Sequence, residues 1–267
     1  MTMNVFIFKN PQEVAQEAAK LIIEALEKKP NLVLGLAAGR TPLDLYRSLI
    51  RTYEEKKIDF SRVKVFSLDE YAGLSQDHPL SFAFYFHQNL FNLVNLRPEN
   101  IFLLNGQAEN LEAHCRWYEA MISQVGGIDI QILGIGLNGH IGYNEPGSSF
   151  GSRTRPQILT PETRARERAS FEARGEEPPY LALTLGLATI LEAKNILLLA
   201  TGEEKAQIVR EALEGPLTIS VPASCLQLHP SVFVFLDEPA SSRLERKEFY
   251  LYSQKLVSER RALLRIS

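Results

Sequence analysis

IDIQILGIGLNGHIGYNEPG, residues 128–147, is the stretch from which the fold is read. Its opening, IDIQILGIG (128–136), reads as a short strand. Gly134, Gly136 and Gly139 then spell GxGxxG. A dinucleotide-binding turn needs a helix that starts inside those glycines. Here Gly142, Asn144, Pro146 and Gly147 follow and oppose a helix. The strand therefore empties into a loop that gathers Asn138, His140 and Glu145. An imidazole near a carboxylate can shuttle protons near neutral pH. It can equally be a buried histidine satisfied by an acid, but the polar cluster favours the functional reading.

Outward from this stretch the chain alternates. Residues 11–28 carry Val14, Ala18, Leu21, Ile22, Ala25 and Leu26 at helical spacing, with Asn10 as cap and Pro11 in the first turn. NLVLGLA (31–37) reads as a buried strand, and Thr41-Pro42 opens a second helix. Strands are expected at 63–69, 100–105, 195–200 and 231–237, with helices at 81–91, 109–124 and 203–213. This succession implies a doubly wound α/β fold of Rossmann-like type, a mostly parallel sheet with helices on both faces. With neither repeat nor low-complexity linker, residues 1–267 read as a single domain. Residues 160–179, TPETRARERASFEARGEEPP, break the pattern with dense charge. Composition alone favours a solvated surface helix there; the alternative is a mobile helical lid that carries arginine to an anion.

Ligands of such sheets gather at the carboxyl ends of the strands. Four strand ends bear chemistry. In LGLAAGRTPLDLY (34–46), Ala38, Gly39, Arg40 and Thr41 form either a phosphate-binding turn or a plain strand-to-helix turn. In SLDEYAG (67–73), one of Asp69 and Glu70 should face the cleft, although an acid at a strand end is also a common turn former. The third is the loop with Asn138, His140 and Glu145. In ATGEEKAQIV (200–209), Lys205 lies near a helix N-terminus, where a bound anion would offset its unfavourable interaction with the dipole. Taken by itself, that lysine reads as an exposed one.

Bulk properties narrow the partners. Hydrophobic residues make up 45% and charged residues 23% of the 267, and the net charge is −3. No basic stripe marks a nucleic-acid binder, and no apolar run reaches the ~20 residues that cross a bilayer. The N-terminus lacks the pattern of a secretory signal, and Cys115 and Cys225 show no pairing logic, so the expected compartment is cytoplasmic with both thiols reduced. His78, His87, His114 and His229 show no metal-ligand spacing, and no metal is expected.

Taken together, LGLAAGRTP, FSLDEYAGL, NIFLLNG, GIGLNGHIGYNEPGSSFGSRTR, LTPETR, ALTLGLATIL and SCLQLHP resemble the glucosamine-6-phosphate deaminases, within the group that includes 6-phosphogluconolactonase. The resemblance runs from about residue 5 to 250. A lactonase of the group would show DER for DEY and a GHTASLFP-like run after the glycines. The family implies that glucosamine 6-phosphate is opened, isomerised and deaminated to fructose 6-phosphate and ammonia, without an organic cofactor. By motif position Asp69 is implied to be the C2–C1 base, and His140 to serve ring opening under the influence of Asn138 and Glu145. Lys205 matches the phosphate-binding lysine. Three departures stand out. Asn138 replaces the Asp of some members. AAGRT stands for the usual TGGT or TGST, so Arg40 is either a phosphate ligand or the sign of a different substrate. Arg168 falls one position early for the lid arginine. Arg155, Ser148 and Ser149 keep part of an interface activator pattern in which Gln157 replaces a lysine. The tail from Asp237 to Leu256 resembles that of longer members and implies a homo-oligomer. A related phosphosugar hydrolase or isomerase is the alternative, and a non-catalytic sensor a more distant one.

Overall fold

The structure, a computed structural model, describes residues 3–259. In chain order its elements are β1 (Asn4–Phe8), α1 (Pro11–Lys28), β2 (Val33–Leu36), α2 (Arg40–Glu54), β3 (Lys64–Ser67), β4 (Asp69–Tyr71), α3 (Phe82–Asn89), β5 (Ile101–Phe102), α4 (Leu111–Gln124) and β6 (Ile130–Leu133). There follow β7 (Arg155–Ile158), α5 (Pro161–Glu172), β8 (Leu181–Thr184), α6 (Leu187–Leu191), β9 (Asn195–Ala200), α7 (Ala206–Glu214), β10 (Val232–Asp237) and α8 (Lys247–Glu259).

Seven strands form one parallel sheet in the order β1-β10-β9-β6-β2-β3-β5. Every residue of β2, β6, β9 and β10 is buried, so both faces of the sheet are covered. A fully buried Leu or Ile contributes about 1.5–3 kcal/mol, and NILLLA of β9 supplies four in succession. Strand order reverses between β2 and β6: β3 and β5 lie on one side, β9 and β10 on the other. That reversal opens a crevice at the carboxyl ends, where ligands of open α/β sheets bind. The edge strand β1 is guarded by α8, whose Gln254 side chain accepts from Ile7 N at 2.8 Å and donates to Ile7 O at 3.1 Å. This satisfies backbone groups that would otherwise invite pairing.

Three expectations change. First, the strand expected at 63–69 is two strands. Leu68 N donates to Leu36 O at 2.8 Å in the large sheet, while Leu68 O accepts from Leu185 N at 2.9 Å in a second one. Asp69 thus begins β4 of a three-stranded antiparallel sheet, order β4-β8-β7. Second, β1 reads only as an apolar segment until β10 is present to pair with it. Third, α2 is capped not by Thr41 but by Gly39, at φ +123°, a conformation that suits glycine. Thr41 instead faces Thr201 across the sheet, hydroxyl oxygens 3.2 Å apart. The Asn10 cap holds, its side chain accepting from Glu13 N at 2.9 Å. Both cysteines are buried and free. No helix among the described residues is long and apolar enough to cross a membrane.

Candidate active site

Asp69 stands where the chain leaves one sheet for the other, buried, opposite Thr184 of β8. Along a strand successive side chains alternate, so Glu70 turns the other way. It accepts from Tyr71 N at 2.8 Å, Phe82 N at 3.0 Å and Ala83 N at 2.9 Å, tying β4 to the start of α3. Burial raises Glu70 and those three donors pull it back. Asp69 has no such donors. Burial, then the Glu70 charge, pushes its carboxyl up to about 8.

The loop after β6 is wound so tightly that glycine is required in two places. Gly136 N donates to His140 O at 2.9 Å, and a Cβ on Gly136 would stand 2.3 Å from His140 Nε2. Gly142, at φ +56°, presses against Leu68 and Thr184, where a Cβ would meet Thr184 Oγ1 at 2.7 Å. Tyr143 N also donates to Thr184 Oγ1, at 3.0 Å. The loop is therefore docked on the two residues that flank Asp69, one in sequence and one across the sheet. Tyr143 bridges the gap: its ring centroid is 6.3 Å from that of His140, and burial, then Tyr71 and the charge of Asp69, raise its hydroxyl.

Glu145, also buried, organises this loop. Asn138 Nδ2 donates to Glu145 Oε2 at 2.8 Å, and Asn138 Oδ1 accepts from His140 N at 3.2 Å. His140 Nδ1, itself buried, faces Glu145 Oε2 at 3.4 Å, too long for a well-formed hydrogen bond. Catalytic hydrogen bonds are commonly long before substrate binds. Burial would raise Glu145, but His140, Thr163 and Asn138 outweigh it and hold the carboxyl at about 2. Thr160, the cap of α5, donates its hydroxyl to Glu145 Oε1 at 3.3 Å, so the same acid anchors the charged helix.

Lys205 ends a 3-10 turn (Glu203–Lys205) before α7, and its Nζ donates to Ile135 O at 2.7 Å, beside the β6 loop. Burial and then the charge of Arg166 lower its ammonium. The turn is fixed from β10: Asp237 accepts from Gly202 N at 3.0 Å and Ala240 N at 2.8 Å. Ala38, Gly39, Arg40 and Thr41 lead into α2, whose start has no side-chain cap bond, and Tyr85 donates to Gly39 O at 2.8 Å. The Thr41–Thr201 contact brings this turn beside the Lys205 loop. Arg40 is exposed. Arg168 lies on the outer side of α5, its side chain 66% exposed and 3.8 Å from Glu172. The α5 cation whose charge reaches Lys205 is Arg166, itself exposed. Asp69, Asn138, His140, Glu145 and Lys205 thus gather at one crevice, and Arg168 does not join them. Sequence reasoning missed Arg166, Asp237 and the tyrosines Tyr71 and Tyr143. The spacing Thr163, Glu167, Phe171, one residue per helical turn, was the signal that α5 has an inner face.

A doubly wound sheet with an elevated acid, an acid–imidazole pair and a half-buried lysine at its switch point defines an α/β enzyme for proton-transfer chemistry on a small anionic substrate. The chain belongs to the glucosamine-6-phosphate isomerase/6-phosphogluconolactonase family, whose model matches residues 9–234. The glucosamine-6-phosphate deaminase of Thermoanaerobacter pseudethanolicus is 47% identical over 240 residues, 90% of this chain and 94% of that one. That of Shewanella loihica is 46% identical over 266 residues, 98% and 99% of the two chains. A solved structure of a monomeric glucosamine-6-phosphate deaminase superposes with TM-score 0.87 at 44% identity, covering 90% of this chain and 100% of that one. A 6-phosphogluconolactonase from Thermotoga maritima, 21% identical with TM-score 0.70 over 88% of this chain and 99% of that one, shares the fold.

Proposed function

We propose that this enzyme isomerises and deaminates glucosamine 6-phosphate to fructose 6-phosphate and ammonia. The convergence of a carboxyl raised by burial, Asp69, with the Glu145–His140 pair around Tyr143 carries the reading. With Nδ1 turned to Glu145, His140 Nε2 exchanges a proton between the anomeric hydroxyl and the ring oxygen, and the ring opens. Ionised Asp69 then removes the proton from C2. The electron pair forms the C1–C2 double bond, and the C1 oxygen is protonated, giving an enolamine. Asp69 returns its proton to C1, leaving an imine at C2. Water adds to that carbon, ammonia leaves, and the ketone remains. Burial of Asp69 shields the travelling proton from solvent.

Lys205, Arg166 and the backbone of Ala38–Thr41 hold the phosphate in this reading, so that binding energy from a remote group positions C2. Arg40 flanks that turn from solvent. Arg168, outward on α5, adds little. Residues 1–267 act as one domain. Its 160–179 segment works as a mobile lid, pinned by Thr160–Glu145 at one end and by His78 Nε2 on Glu176, 2.9 Å, at the other. Two buried thiols fit a cytoplasmic setting. A homo-oligomer is supported by the tail resemblance and by Phe249, Leu251 and Tyr252 turned outward on α8; light scattering tests it, a single 267-residue mass counting against it.

The decisive assay is ammonia release from glucosamine 6-phosphate beside hydrolysis of 6-phosphogluconolactone. The reading expects the first and not the second. Lactone hydrolysis without ammonia release would overturn it.

A further inference from the structure

The charged helix α5 has one inward stripe. Thr163 and Phe171 are buried and Glu167, midway, is half-buried, at successive helical turns. The stripe spans the site: Thr163 lies at the Glu145 end, its hydroxyl accepting from Thr160 at 3.1 Å, and Phe171 packs edge-on against Tyr71, centroids 5.7 Å apart, at the other. Tyr71 lies 5.6 Å from Tyr143, and Tyr143 6.3 Å from His140. Glu167 therefore faces the side of the site where Tyr71, Tyr143 and His140 lie, close enough for its charge to act on Tyr71 and for that of His140 to act on it. Its neighbours on α5 are matched outward, Arg164 with Glu177 at 3.9 Å and Arg168 with Glu172 at 3.8 Å. Glu167 forms no ion pair within 4.0 Å among the described residues; burial raises it and outweighs Tyr71 and the more distant charges of Arg166 and His140.

We propose that Glu167 receives the 2-ammonium of the substrate and so sets the preference for an aminosugar over a plain hexose phosphate. This rests on the deaminase reading. Adjacent helical residues project about 100° apart. The charge of Arg166 is felt at Lys205, and that of Glu167 at Tyr71 and Tyr143. The lid thus presents a cation to the phosphate end and an anion to the amine end of one zwitterionic ligand. The other acids are committed: Glu145 to Asn138, Thr160 and His140, Glu70 to the α3 backbone, and Asp69 to proton transfer.

The test compares two competitive inhibitors, 2-amino-2-deoxyglucitol 6-phosphate and glucitol 6-phosphate, on wild type, Glu167→Gln, Glu167→Asp and Tyr71→Phe. Wild type should prefer the amine by at least ~10-fold, the scale on which a charged hydrogen bond discriminates. Glu167→Gln should bring the ratio within about 2-fold, with affinity for glucitol 6-phosphate unchanged. Glu167→Asp, which keeps the charge, should retain most of the preference and carries the comparison if the Gln variant does not fold. The assignment fails if Glu167→Gln keeps the wild-type ratio or weakens both inhibitors equally. It fails too if Tyr71→Phe abolishes the ratio as fully, because Glu167 would then act only by holding Tyr71. Wild type that binds neither inhibitor overturns the deaminase reading and this assignment with it; wild type that prefers the amine beside an unaltered Glu167→Gln overturns this assignment alone.

Discussion

The tip of β3–β4 and the loop after β6 each bury a carboxyl, and they treat it in opposite ways. Asp69 is given no donor and a second acid next door, and rises to about 8. Glu145 is given an amide, two threonines and an imidazole, and falls to about 2. Burial is common to both; the partners decide the sign. In the proposed reaction the first acid exchanges a proton with carbon, and the second stays charged beside His140. Divergent environments for neighbouring acids are how one site divides proton-transfer roles.

Removing either acid should expose the difference. Asp69→Asn should lower kcat by about 10²–10⁴-fold, the scale of a lost general base. It should also change stability with a definite sign. A folded pKa raised above the unfolded one means stability is fully present below about 4 and declines as pH rises to about 8. Urea midpoints of Asp69→Asn should therefore gain on wild type between those limits; a constant offset would break the comparison. In wild type, kcat/KM should climb with pH towards about 8 as Asp69 ionises.

Glu145→Gln should cost kcat less, roughly 10–100-fold, and alter the pH profile through His140. Its stability effect runs the other way. A depressed carboxyl stabilises above its unfolded value and loses that contribution as pH falls through about 2. The gap between wild type and Glu145→Gln should thus be widest near neutrality and close below pH about 4, read by urea unfolding. The smallest effects should separate the two lid arginines. Arg166→Ala should raise KM several-fold, roughly 3–10-fold for one phosphate cation. Arg168→Ala should alter KM by less than about 2-fold, since exposed i,i+4 pairs contribute little. Equal effects would remove the distinction between inner and outer faces of α5.

The large sheet was legible because NLVLGLA, IDIQILG, NILLLA and SVFVFLD are short apolar runs, each bounded by turn or helix signals. The switch at Leu68 was not: its two faces belong to different sheets, and nothing in FSLDEY marks where one ends. β7 and β8 were missed because they are short and rest on pairing distant in sequence, β8 with β4 and β7 with β8. Asp69 drew attention because it ends an apolar strand, and His140 and Glu145 because they cluster in a glycine-rich loop that cannot be helical. The lid was harder to read. Dense charge hid the stripe of Thr163, Glu167 and Phe171; motif position pointed to Arg168, which is exposed, while the charge felt at Lys205 is that of Arg166. Arg40, prominent in sequence, is exposed beside its turn.

The most direct test follows one hydrogen. Glucosamine 6-phosphate carrying deuterium at C2, turned over in ordinary water, should yield early fructose 6-phosphate with part of that label at C1, because one shielded carboxyl serves both carbons. Product formed by wild type with no label at C1 under any condition would contradict the account.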